Sequence, residues 1–571
     1  MKLIFLGHPQ NRPNRTHEVI RLVAACWLLL IFSLTRLPAQ EVFELTAPGK
    51  YLVSFTDKQY SPFSADNPAE FLSQKALERR KNQGIPITHN DLPVSQVYID
   101  SLKWAGAKVL HTSKWLNTAT IQVSDSLILD RISGFGFVRK TTTALNKQSY
   151  HSRKKAASGT KEADTPASLE YGASWLQTAI HHGQHMHAHG YTGKGITIAV
   201  LDAGFSEVDR LPVFSNIRED GRILGTRSYV LPGESVFGHS THGMSVLSVI
   251  GGWQPGELVG AAPDAYFYLL RTEDASSEFI IEEDNWIAAA EFADSAGADI
   301  INTSLGYSLF DNQDQNHLYS DMDGNTTRIS RAADIAASKG MLVVVSAGNE
   351  GNSAWKYITA PGDADSVLTV GAVDPYLDVA EFSSRGPSSD NQVKPEVMAI
   401  GKGIYVARPD ETIRPGNGTS YSAPLITGLA ACLWQANREA SAMEIRQAIC
   451  ESADRYNQPD DEFGFGIPDF NLANILLQMG QENSTVDQVV TLFPNPFNRL
   501  LYVVFRNTTS APVDISLYDI SGKEMLHAIY PQVEGRNYVK LEGELAGLPR
   551  GAYIIRIRSG ELSENCKLFK F

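Results

Sequence analysis

Cysteine is scarce, at four in 571 residues, in positions 26, 432, 450 and 566. The last three show no metal-ligand spacing and are an odd number, so neither a disulfide framework nor a cysteine-bound zinc site is indicated. Cys432 and Cys450 lie in apolar helical stretches and read as small buried hydrophobes. Net positive charge is lacking too. A formal charge of −14 opposes nucleic-acid binding, which depends on neutralising phosphates, and no nucleic-acid partner is expected. No apolar run is long enough to cross a bilayer comfortably. The longest, Leu22 to Leu34, follows Arg12, Arg15 and Arg21 and fits a signal peptide cut near Ala39–Gln40. Residues 1–39 are therefore expected to be removed, with an N-terminal anchor as the competing reading. No long internal repeat is present, which sets solenoids aside.

What is present is a chain too long for one core, with 43% hydrophobic and 20% charged residues, so several ordinary globular domains are expected. Charge is unevenly spread. Residues 1–40 carry net +4, residues 41–165 net +5, and the remainder net −23. A basic front and an acidic body are complementary. Residues 48–140 read as a small α+β domain of order β-α-α-β-β-α-β, with strands at Tyr51–Phe55, Lys108–Leu110, Ala119–Val123 and Phe135–Arg139. Residues 141–168 lack apolar periodicity and read as an exposed, protease-accessible linker. From 169 to 478, short apolar strands alternate with helical stretches. The strands are Ile196–Leu201, Tyr266–Leu270, Ile300–Thr303, Met341–Val345 and Val367–Val370, and the pattern predicts an α/β domain with a covered parallel sheet. Residues 486–571 read as an all-β sandwich, with alternating strands between Pro- and Gly-rich turns.

Chemistry-bearing residues fall at the strand ends of the central domain, where parallel sheets bind ligands. Asp202 ends the first strand, before Ala203-Gly204. His242, in His239-Ser240-Thr241-His242-Gly243, opens an apolar helix and is a base of suitable pKa. Asn349 lies between Gly348 and Gly351 after the strand Met341–Val345, where its amide could donate to an oxyanion. Ser420, in Gly416-Asn417-Gly418-Thr419-Ser420-Tyr421-Ser422-Ala423-Pro424, starts a helix whose positive end favours developing negative charge. Each piece alone has an ordinary reading: a turn aspartate, a Gly-Asn turn, a serine N-cap. Ser420 lacks the Gly-x-Ser-x-Gly flank that an esterase elbow would need.

Taken together, the order Asp202, His242, Ser420 and the motifs around them resemble the subtilisin-like serine peptidases over about 310 residues. Phe382-Ser383-Ser384-Arg385-Gly386-Pro387 and Lys394-Pro395-Glu396 extend the resemblance. Ala203, Ser240 and the pair Tyr421-Ser422 depart from the family pattern without touching a reacting side chain. The resemblance implies a parallel-sheet fold and an endopeptidase with Ser420 as nucleophile, His242 as base, Asp202 as its orienting acid and Asn349 as oxyanion donor. It implies protein or peptide substrates pairing with Ser304-Leu305-Gly306, and a primary specificity pocket near Ile358–Ala360 narrowed by Thr359. No cofactor is implied for catalysis.

Given that centre, residues 48–140 resemble the family's inhibitory propeptide, a ferredoxin-like module, and residues 141–168 become the processing region. Phe493-Pro494-Asn495-Pro496, Leu517 to Lys523 and Leu548 to Tyr553 resemble the C-terminal sorting domain of type IX secretion cargo. That implies the type IX machinery as partner and a secreted or surface location, beyond an outer membrane. A substrate-binding sandwich is the alternative for this segment. Asp321, Asp323 and Asn325 offer oxygen ligands at short spacing, a candidate structural calcium loop or a plain polar turn. Five histidines between His181 and His189 suggest a metal tract, but a solvated or capping role is the better reading. From a different class, the chain could be a surface-displayed binding protein with a relic triad.

Overall fold

The computed structural model describes residues 43–139, 169–481, 490–507, 510–531, 535–560 and 562–571. The signal-peptide segment 1–39 and the linker 141–168 lie outside them. Among the described residues, no helix is long and apolar enough to cross a membrane. The chain divides into two compact units, residues 1–470 and 471–571.

The first unit begins with an antiparallel sheet of β1 (Glu44–Ala47), β2 (Lys50–Ser54), β3 (Lys108–Ser113) and β4 (Thr118–Gln122), in the order β1-β2-β4-β3. Helices α1 (Gln74–Asn82), α2 (Gln96–Trp104) and α3 (Ser126–Ser133) complete this front module. Val53, Leu102, Ala119, Ile121 and Ile132 are wholly buried in its core. Residues 135–139 form no strand. Only a bridge between Phe55 and Val138 pairs there, while Phe135 and Phe137 stack on each other and Phe137 on Tyr98. Aromatic packing thus uses the apolar residues that alternation had suggested for a ladder. The extra edge strand is β1, ahead of the predicted first one.

Behind the module lies a seven-stranded parallel sheet. Its strands are β5 (Thr197–Asp202), β6 (Ile223–Ser228), β7 (Tyr266–Arg271), β8 (Ile300–Thr303), β9 (Leu342–Ser346), β10 (Leu368–Val373) and β11 (Val397–Ile400). The order is β11-β10-β9-β8-β5-β7-β6. β5 and β8–β11 are buried along their whole length, which explains their near-continuous apolar runs. Alternate residues Ala199, Leu201, Ile301, Val343 and Val345 face a core shared with α5 (Ile281–Ala296) and α6 (Arg328–Ser338). Thr327 caps α6 by accepting from the Ser330 N–H, and Gly297, at φ 90°, ends α5. α4 (His242–Gly251) packs on β5, and α7 (Thr419–Ala436) crosses β8 to β11.

The second unit contains a three-stranded and a four-stranded antiparallel sheet. The first is β12 (Val490–Phe493), β13 (Leu501–Asn507) and β16 (Gly535–Leu541), in that order. The second orders as β15 (Glu524–Tyr530), β14 (Val513–Asp519), β17 (Gly551–Ser559) and β18 (Leu562–Lys570). Leu501, Val503 and Phe505 of one sheet share a core with Ile515, Leu517, Ile555 and Ile557 of the other. Each set is spaced by two, as a two-layer sandwich requires.

Candidate active site

Three strands of the parallel sheet end at one edge, and each delivers a side chain or a backbone segment there. Asp202 closes β5 and is wholly buried. His242 is the first residue of α4, and its Nδ1 lies 2.8 Å from Asp202 Oδ1. A carboxylate only accepts, so Nδ1 carries the proton and donates, leaving Nε2 as the basic atom. Asp202 Oδ1 also accepts from the Ala203 N–H at 2.8 Å. Burial pushes the His242 pKa down, but the charge and hydrogen bond of Asp202 outweigh it and hold the pKa above the ordinary 6.5.

The close approach of α4 to β5 depends on Gly243. A Cβ at this position would stand 2.5 Å from the Gly204 carbonyl oxygen and 2.9 Å from Asp202 Cβ. Gly204 in turn has φ 151° and lies against the Ser240 backbone, so Ser240 is accommodated by the glycine opposite it. Gly243→Ala should push the helix off the strand and lower kcat/KM at least tenfold, on the general cost of misplacing a catalytic group by a fraction of an ångström. Loss of the low-field Nδ1 proton signal in NMR would report the broken Asp202–His242 bond; an unchanged signal and rate would count against this role of Gly243.

Ser420 is the second residue of α7, after Gly418 at φ 149°. Its backbone N–H is therefore one of the free donors at a helix start. Ser420 Oγ donates to the Ser304 carbonyl oxygen at 3.1 Å, and Ser304 Oγ donates to the Ser420 carbonyl oxygen at 2.9 Å. The serine hydroxyl thus rests on the segment after β8 and not on His242. A side-chain hydroxyl moves between staggered positions by rotation about one bond, and nucleophile–base bonds are commonly absent without substrate. The imidazole itself stacks near Tyr421, the next residue, with ring centroids 6.2 Å apart. The residue that departs from the family motif therefore forms a wall beside the histidine.

Asn349 follows β9. Its Oδ1 accepts from the Thr419 N–H at 2.9 Å and from Thr419 Oγ1 at 3.1 Å. With the oxygen engaged by the residue before Ser420, the amide orientation is fixed and the Nδ2 donors are left for another acceptor. Leu305 and Gly306 continue past Ser304 in irregular backbone, with Gly306 exposed. A Cβ at Gly306 would fall 2.1 Å from Thr359 Oγ1, and one at Gly348 would fall 2.9 Å from the same atom. Thr359 thus fills the space between the 304–306 and 347–349 segments.

The calcium candidates behave differently. Asp323 Oδ1 accepts from the N–H groups of Asn325 and Thr326, at 2.9 and 2.6 Å, and Asp321 Oδ2 accepts from the Leu318 N–H at 2.8 Å. Both carboxylates are engaged by their own turns. The histidine tract is partly interior. His181 and His187 are buried, with His181 Nδ1 on the Pro468 carbonyl and His187 between the Tyr171 hydroxyl and the Ala261 carbonyl. Sequence reading underestimated their burial because charge-bearing residues are usually exposed.

Residues 193–466 match the family model described as the subtilase family, peptidase S8. They form a subtilase domain. Serine protease AprX of Bacillus subtilis (strain 168) is 28% identical over 319 residues, covering 50% of this chain and 66% of its own. Subtilisin DY of Bacillus licheniformis is 28% identical over 284 residues, covering 49% and 90%. Among solved structures, MycP1 with the N-terminal propeptide removed aligns at 22% identity and a TM-score of 0.42, over 52% of this chain and 96% of its own. Residues 50–162 match the peptidase S8 propeptide domain of Bacteroidota, and residues 491–570 a secretion system C-terminal sorting domain. The chain is thus a serine endopeptidase of the subtilase class that carries its own propeptide, and the sorting domain indicates export.

Proposed function

We propose that the chain is a secreted endopeptidase made as a zymogen, in which Ser420 attacks the peptide carbonyl to form an acyl-enzyme. His242 Nε2 takes the serine proton and later returns it to the leaving amine. Asp202 holds the ring and stabilises the imidazolium. The oxyanion is bound by Asn349 Nδ2 and the Ser420 N–H, and extended substrate pairs along Ser304-Leu305-Gly306. The observation that carries this reading is the Asp202–His242 hydrogen bond of 2.8 Å at the sheet edge where α7 presents Ser420. No step requires a metal. Export would use the segment 1–39 at the inner membrane and residues 491–570, through the type IX machinery, at the outer one.

A fluorophosphonate probe tests the nucleophile directly. Processed protein should be labelled at Ser420, and absence of label there would overturn the peptidase reading in favour of a binding protein with a relic triad. The pH profile tests the base. His242 acts when neutral, so activity should be lost as pH falls through its pKa. Because Asp202 raises that pKa, the acid limb of kcat/KM should lie above 6.5. Asp202→Asn should move the limb downward and cut kcat by roughly ten-thousandfold.

A further inference from the structure

Next to the reaction centre stands an acidic group that the mechanism does not use. Glu273 lies two residues past β7, Glu278 in the loop that leads to α5, and Glu282 in the first turn of α5. One carboxylate oxygen from each lies within 4.8 Å of the other two. Glu273 and Glu282 are only 7% and 2% exposed, whereas Glu278 is partly open.

The hydrogen bonds of the two buried glutamates do not account for the arrangement. Glu273 Oε1 accepts from the Tyr307 hydroxyl, and from Thr272 Oγ1 at 3.4 Å. Glu282 Oε1 accepts from the Asp274 N–H at 2.9 Å, so this carboxylate does not cap its own helix. Its other oxygen, Oε2, is sealed from solvent with no hydrogen-bond partner. An unpartnered buried carboxylate oxygen is costly, and here the strongest charged neighbours of Glu282 are more acids, Glu273, Glu278 and Asp274. Burial, with the neighbouring carboxylates, pushes Glu273 and Glu282 above the ordinary carboxylate range.

We propose that Glu273, Glu278 and Glu282 bind a divalent cation, calcium, beneath the substrate-pairing edge. Calcium takes oxygen ligands at about 2.3–2.6 Å, so two oxygens on one ion stand at most about 5 Å apart, a condition that the 4.8 Å group meets. Glu278 provides the entrance from solvent. Tyr307 ties the site to the edge, because its hydroxyl holds Glu273 while its backbone follows Gly306 and pairs with Ala360 through bonds of 2.8 and 3.1 Å. The Thr272 N–H, beside Glu273, donates to the Asp202 carbonyl oxygen at 3.0 Å, so the same ion would brace the strand that carries the acid of the triad.

The test uses the full chain bearing Ser420→Ala, which prevents self-cleavage, stripped with a chelator and titrated calorimetrically with calcium chloride. The parent should show a saturable site, and Glu278→Gln and Glu282→Gln should each weaken that site at least tenfold, whereas Asp323→Asn should not change it. No saturable binding by the parent would overturn the proposal and leave a protonated carboxylate cluster. Unchanged stoichiometry and affinity in a folded Glu282→Gln or in Glu278→Gln would also overturn it. If Glu282→Gln fails to fold, the partly exposed Glu278 decides the matter. Calcium affinity unchanged in both, with cleavage before or after Lys and Arg selectively lost when the same substitutions are made in the chain that keeps Ser420, would overturn the proposal and assign the group to cationic substrate side chains instead.

Discussion

Replacing Ser420 with alanine should lower peptide turnover by on the order of a millionfold, and replacing Asn349 with alanine by roughly a hundred- to a thousandfold. These scales are those known for subtilisin itself; the present geometry supplies the reason to expect them here. In the proposed mechanism Ser420 supplies the hydroxyl that His242 activates, so its removal leaves the base nothing to activate. Asn349 acts differently. Its Oδ1 is held by Thr419, which leaves the Nδ2 donors for the carbonyl that Ser420 would attack in the proposed mechanism. A donor fixed before the reaction stabilises the developing charge without reorganising. Asn349→Ala should therefore lower kcat with little change in KM, because the interaction strengthens only in the transition state. Asn349→Asp should be at least as damaging, since it places an acceptor where a donor is required. The double variant Ser420→Ala, Asn349→Ala should be little worse than Ser420→Ala alone, because the two act on one step. Steady-state kinetics on a chromogenic peptide, with active-site titration, distinguish these outcomes. An Asn349→Ala enzyme with unchanged kcat would remove this residue from the oxyanion site.

The sequence singled out those residues because each sits where a periodic pattern breaks. Asp202 ends an apolar run, His242 begins one, and Ser420 follows glycines that no helix interior would carry. The strand Ile300–Thr303 coincides with its predicted limits, since it is bounded by sharp changes in polarity. β6 escaped notice for the opposite reason. It is an edge strand, and its Ile-Leu-Gly-Thr-Arg-Ser sequence alternates without a continuous apolar signature. β11 is four residues long and merges with the Lys-Pro-Glu stretch before it. The carboxylate group was illegible for a subtler reason. Acidic residues at the start of a helix complement its dipole and attract no attention there. Only the fold shows that Glu282 turns away from its helix toward Glu273. Nor could one sequence show that Ser420 Oγ rests on Ser304, because a hydroxyl rotamer leaves no periodic trace.

Asp294→Ala should detach the front module from the subtilase domain. Asp294 lies on α5, is wholly buried, and serves three cations of the module. Arg79 and Arg80 reach it at 2.6 and 2.8 Å, and Lys114 at 2.9 Å. A second carboxylate, Asp91 of the module, takes Arg80 at 3.0 Å and Lys339 of the body at 3.1 Å. The charges are thus shared across the boundary in both directions, with the basic excess on the module as its composition implies. Glu291, one turn before Asp294 on α5, accepts from the N–H groups of Lys114 and Trp115 at 2.7 and 2.9 Å. Removing one partner of a buried network costs about 3–5 kcal/mol, because the remaining charges stay buried and uncompensated. That corresponds to roughly a hundred- to several-thousandfold weaker association. In the Ser420→Ala chain, which cannot process itself, hydrogen exchange should show β2–β4 of the module losing protection while β8 and β9 keep theirs. Equal protection in parent and variant would refute the assignment. The pH dependence has a definite sign. Burial opposes ionisation of Asp294, but Lys114, Arg79 and Arg80 prevail and hold its carboxyl below the ordinary 3.8. Its contribution is therefore complete above about pH 4 and lost as pH falls through the depressed value. Titration of this carboxyl should leave the module seated through mild acidification, so that cleavage of the connecting chain, and not a proton on Asp294, initiates its release.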